Sequence, residues 1–117
     1  MENALNQLIV LLTDATKRQL IEWGSTSSVN VYAVKLNSAV YSVSFYQAPT
    51  INYYKLWLDS GDDSICLLDS LNTDAASAAA LKDLYLSAQD SAEKRTSTIK
   101  ASVDELKEMI DRDNLPF

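Results

Sequence analysis

Hydrophobic positions in this chain change their period twice. From Asn3 to about Lys17 they recur at helical spacing, with Leu5, Leu8, Ile9, Leu12, Ala15 and Thr16 on one stripe. Val10 and Leu11 widen that stripe and predict a well-buried helix. Lys17 and Arg18 stand where a helix dipole favours cations. Leu20-Ile21-Glu22-Trp23 then leads into Gly24-Ser25-Thr26-Ser27-Ser28, a loop by composition.

The middle of the chain has the shorter period of strands. Val29 to Leu36 is rich in Val and Tyr, and Asn37-Ser38 makes a tight turn. Ala39 to Tyr46 alternates, with Tyr41, Val43 and Phe45 on one side and Ser42 and Ser44 on the other. Ala48-Pro49-Thr50 breaks it. Ile51 to Leu58 is a third strand, Asp59-Ser60-Gly61-Asp62 a turn, and Ser64 to Leu68 a short fourth strand. Short connections between consecutive strands favour an antiparallel meander.

The helical period returns in the last third. Asn72, Thr73 and Asp74 offer N-caps, and the run from Ala75 to about Ile110 contains neither Gly nor Pro. Leu81, Leu84, Tyr85, Ala88, Ala92, Ile99, Val103, Leu106, Met109 and Ile110 recur at near-heptad spacing, interrupted by Arg95 and Ser102. The run reads as one long helix or as two joined by a kink near Ser97. About 36 helical residues span roughly 54 Å, more than a domain of this size, so part of the run projects, bends or packs on another subunit. Asn114-Leu115-Pro116-Phe117 is a tail.

These patterns give a single α+β domain over residues 1–117. It has an N-terminal helix (1–18), a three- to four-stranded antiparallel meander (29–69) and a long helix or helix pair (74–111), with the helices on one sheet face. Tyr41, Val43, Phe45, Tyr54, Leu56 and Leu58 belong to the core face. The opposite face carries Ile51, Tyr53, Lys55, Trp57, Asp59, Ser42, Ser44 and Tyr46, polar with aromatic islands. A one-residue slip in register would exchange the two faces.

Composition narrows the chemistry. The 117 residues include no His, one Cys, two Gly and two Pro, so no His base and no Gly-rich phosphate loop can be built. Cys66 has no His to activate it and reads as a buried structural thiol. Asp62-Asp63, Asp104-Glu105 and Asp111 with Asp113 read as turn or solvated-helix carboxylates. No metal site, cofactor or catalytic residue is expected. The net charge of −6 disfavours nucleic acid and anionic membrane as partners. No apolar run approaches the ~18 residues of a membrane span, and the first residues carry no basic signal-like region. The expectation is a cytoplasmic protein.

The order of Leu5-x-x-Leu8, Leu11-Leu12-Thr13, Leu20-Ile21-Glu22-Trp23, a Tyr-bearing meander and Leu81-x-x-Leu84-Tyr85-x-x-Ala88-x-x-Ser91-Ala92 resembles a group of small, largely uncharacterised bacterial and prophage proteins. That resemblance implies host–phage conflict or accessory regulation and carries over no catalytic residue. The expected function is a non-enzymatic protein-interaction module that self-associates or acts on a host or phage protein. Tyr46, Tyr53, Lys55 and Trp57 are the interaction residues, since Tyr and Trp concentrate where binding energy does. The alternative is a protein that sequesters an anionic small molecule between protomers, using Lys17, Arg18, Lys35 or Lys55. An acidic DNA mimic is a weaker third reading. Partner, stoichiometry and pathway are not encoded in any motif.

Overall fold

The computed structural model describes residues 2–113; the tail at 114–117 lies outside the described residues. Helix α1 (Glu2–Lys17) is followed by strands β1 (Gly24–Ser25), β2 (Val31–Lys35), β3 (Val40–Tyr46), β4 (Tyr53–Ser60) and β5 (Asp63–Asp69), a 3₁₀ turn at Ser70–Asn72, and helix α2 (Ala75–Asp113). The five strands form one antiparallel sheet in sequence order. That is one strand more than the alternation suggests. Gly24 and Ser25, loop-like by composition, pair with Ala33 and Tyr32.

Turn chemistry sets the register. Leu36 N–H donates to Ala39 C=O at 2.8 Å, closing the hairpin over Asn37 and Ser38. Ser60 pairs with Asp63, so Gly61 and Asp62 form the next turn. Gly61 has φ +64°, the left-handed value that two-residue hairpin turns demand and Gly adopts without steric cost. At the entry to α2, Asp74 Oδ1 accepts from Ser77 N–H at 3.0 Å. Its hydrogen bonds from Ser77, side chain first and then backbone, hold its carboxyl below the usual range.

The core lies between the sheet and the helices. Tyr41, Val43 and Phe45 face Leu58, Leu56 and Tyr54 across the β3–β4 pair. Val34, Val43 and Leu56 are buried against Leu81, Leu84, Tyr85, Ala88 and Ala92 of α2, with Ile9 and Leu12 of α1 completing the cluster. Trp23 is fully buried. Its indole N–H donates to Thr16 Oγ1 at 2.8 Å, and its backbone N–H donates to Ser91 Oγ at 3.1 Å. Those bonds tie the connection after α1 to both helices.

One expectation about α1 is corrected. Val10 and Leu11 are 61% and 58% exposed, because α1 packs chiefly on α2 and only its Ile9–Leu12–Thr16 side is covered. Of the two alternatives left open for the last run, helix α2 takes the first: it is one continuous element of 39 residues with no break near Ser97. It spans about 58 Å at 1.5 Å per residue, and the molecule measures 68 × 36 × 29 Å. Every residue from Glu93 to Asp113 is exposed. None of the helices among the described residues is long and apolar enough to cross a membrane.

Candidate interaction surface on the open sheet face

The sheet face turned away from α2 is built by register. Tyr46 pairs with Tyr53, Ser44 with Lys55, and Ser42 with Trp57, while β5 sets Asp69 beside Lys55 and Cys66 beside Trp57. A shift in pairing between Leu56 and Trp57 places a bulge in β5. It lets two consecutive residues, Leu67 and Leu68, both pack against the core, and it returns Asp69 to the open face.

The four residues expected to carry interaction come together here. Tyr46 and Tyr53 stack with ring centroids 4.9 Å apart and planes 16° from parallel. Lys55 Nζ lies 5.5 Å from the Tyr46 centroid, 5.8 Å from Tyr53 and 5.6 Å from Trp57, inside the ~6 Å reach of a cation–π contact. Lys55 makes no ion pair among the described residues. All four side chains are half-buried, and no helix among the described residues covers them.

Trp57 explains why Ser42 and Ser44 are buried on a face otherwise open. Its indole N–H donates to Ser44 Oγ at 3.0 Å, which lays the ring over the two small residues. Further along, Asp59 accepts from Ser64 Oγ at 2.6 Å and from Ser42 Oγ at 3.4 Å. The face therefore runs from a cationic aromatic end to a carboxylate held by two hydroxyls.

Cys66 is exposed, contrary to the buried thiol expected from its apolar neighbours. It lies on the outermost strand, paired across from Trp57 on the side away from α2. Partial burial nonetheless raises its thiol pKa, outweighing the nearby Lys55 charge that lowers it; Asp69 raises it further. The thiolate is thus disfavoured. Among the described residues, no three or more His, Cys, Asp or Glu gather where they could hold a metal ion.

The cations considered for an anionic ligand do not share one site. Lys17 bridges Asp83 at 3.1 Å, and Arg18 bridges Asp14 at 3.2 Å, both on the helical layer, while Lys35 and Lys55 belong to the sheet. A wide groove of about 1230 Å³ opens where α2 leaves the domain, with Ile21, Leu86 and Ile99 among its apolar lining. Lys17, Lys94 and Arg95 line it together with Glu22, Asp90 and Glu93, so it offers no net positive field to an anion. The sequence did not announce this groove, since it arises only where the 19–22 connection passes α2.

Scans against protein-family models, curated proteins and solved structures found no match to this chain.

Proposed function

We propose that this chain is a non-enzymatic interaction module that associates with copies of itself and holds a protein partner on the open face of its sheet. The observation that carries the sheet-face reading is the Lys55 ammonium set among three rings, Tyr46, Tyr53 and Trp57, on the face opposite the core, which no helix among the described residues covers. Rings held by stacking and by a hydrogen bond present apolar area at little entropic cost. Lys55, which forms no ion pair among the described residues although Asp69 is its cross-strand neighbour, supplies a charge-assisted bond to an acidic group on the partner. The missing His and the raised thiol pKa of Cys66 support binding over catalysis.

The test begins with a photo-crosslinking residue at Tyr53 in the expressing cell, with the same residue at exposed Ala79 on α2 as control. The partner captured from Tyr53 alone is purified and titrated against variants. Trp57→Ala weakens binding by about 2 kcal/mol, roughly thirtyfold in Kd, as expected of an aromatic hot spot. Lys55→Met keeps the stem and removes the charge, and it costs less. Unchanged affinity in a folded Trp57→Ala protein contradicts the reading, as does equal capture from both positions.

A further inference from the structure

We infer that the projecting half of α2 pairs antiparallel with the same segment of a second copy, joining two domains tip to base. This inference goes beyond the sheet-face reading and rests on α2 alone.

The first observation is the direction of the exposed apolar stripe. At about 100° per residue, Ile99, Val103, Leu106 and Ile110 lie within about 40° of Ala92 around the helix axis. Ala92, Ala88, Tyr85 and Leu81 are buried against the body. The face that α2 packs on its own domain therefore continues without rotation beyond the domain, where these four side chains are 43% to 59% exposed. Met109 (55% exposed) flanks them.

That continuity decides the orientation. A parallel copy in register would run along the same face past Leu81 to Ala92, where the sheet and α1 already lie. An antiparallel copy occupies only the segment from Glu93 onward. Setting Ile99 against the partner's Ile110 and Val103 against the partner's Leu106 gives four apolar layers. The same register brings the partner's Asp113 opposite Thr96, just short of the domain. The length of free helix and the length of the stripe agree among the described residues.

Charge supports the same arrangement. One edge of the stripe carries Lys100, Asp104, Lys107 and Asp111 in alternation, and none of the four makes an ion pair among the described residues. Reversing the second copy sets Lys100 beside the partner's Asp111 and Asp104 beside the partner's Lys107. A parallel copy instead sets this charged edge against the partner's opposite edge, where Ser102 and Met109 offer no opposite charge. The partner's Asp113, at the negative end of its helix dipole, arrives beside Arg95, which also makes no ion pair among the described residues. Four layers make a small interface, in the range below ~1,200 Å² that transient complexes bury, so the dimer forms reversibly with concentration.

The orientation is tested by cysteine exchange in a Cys66→Ser background. Ile99→Cys and Ile110→Cys proteins are oxidised separately and as a mixture. The mixture gives a disulfide-linked heterodimer, and neither protein alone gives a homodimer, because two copies of residue 99 stand about 16 Å apart along the axis, beyond the ~7 Å reach of a disulfide. Leu106→Asp raises the dimer Kd at least about a hundredfold by placing a charge in two apolar layers. It leaves circular dichroism and Trp23 fluorescence unchanged, since residue 106 is outside the folded body. Homodimers from either single variant would overturn the antiparallel register. A chain monomeric at every concentration, or a dimer indifferent to Leu106→Asp, would overturn the pairing itself.

Discussion

Trp23 and Thr16 form the most exacting polar contact in the core. Thr16 Oγ1 donates to Leu12 C=O at 2.6 Å and accepts the indole N–H at 2.8 Å, and both residues are buried. Thr16→Val keeps the shape but strands the indole N–H, which costs about 1–3 kcal/mol. Urea unfolding should show that loss, with Thr16→Ser much closer to the parent; a Val variant as stable as the parent would contradict this account. Tyr85 is the second such residue, enclosed by Tyr32, Phe45 and Tyr54 with centroids 5.7, 5.7 and 5.2 Å away. Burial, then the adjacent Tyr32, pushes its phenol pKa up to about 12. An unfolded tyrosine loses its proton near pH 10. Between about pH 10 and 12 the native state thus holds a proton that the unfolded chain has released, and stability falls as pH rises, by up to ~2–3 kcal/mol from this group. Tyr85→Phe should flatten that part of the urea-midpoint profile, and an unchanged slope would refute the assignment. The core-face position of Phe45 was legible from alternation in β3, and that of Tyr54 from the matching set in β4; Tyr32 and Tyr85 were not assigned to this cluster. Trp23 was not placed by pattern, because its burial depends on hydrogen bonds to residues 7 and 68 positions away.

At the scale of elements, helix ends and strand edges account for what pattern reading caught and missed. α1 and the β2–β5 meander were legible because long periodic runs are bounded by turn residues. β1 was not, since two residues carry no period and their pairing depends on where α1 deposits the chain. α1 ends in a Schellman motif: Leu20 N–H donates to Ala15 C=O at 2.9 Å and Gln19 N–H to Thr16 C=O at 3.0 Å, with Gln19 at φ 61°. A non-glycine residue in that conformation is strained. Gln19→Gly should stabilise the protein by up to about 1 kcal/mol, the relief exceeding the entropy added to the unfolded chain. A lower melting temperature would show that the Gln19 side chain contributes something unaccounted for. The β5 bulge was equally silent in sequence. Two adjacent leucines blur the alternation that would have exposed it, and with it the positions of Cys66 and Asp69 on the open face.

The whole molecule has two distinct ends. One is a folded body whose sheet presents Lys55 among aromatic rings on its outer side. The other is a bare helix whose apolar stripe extends the core face beyond anything that covers it among the described residues. The excess length of the last helix was already evident in the uninterrupted run after Asp74, whereas its straightness was not. The exposure of Ile99, Val103, Leu106 and Ile110 follows from geometry alone, since the body ends near Ala92 while the helix continues. The central claim is that this free half is covered by a second copy. Sedimentation equilibrium of the intact chain across a wide concentration range tests it most directly. The mass should rise from 13.0 kDa towards twice that value, and Leu106→Asp should hold it at the monomer. A mass that stays at one chain up to the solubility limit would contradict the claim.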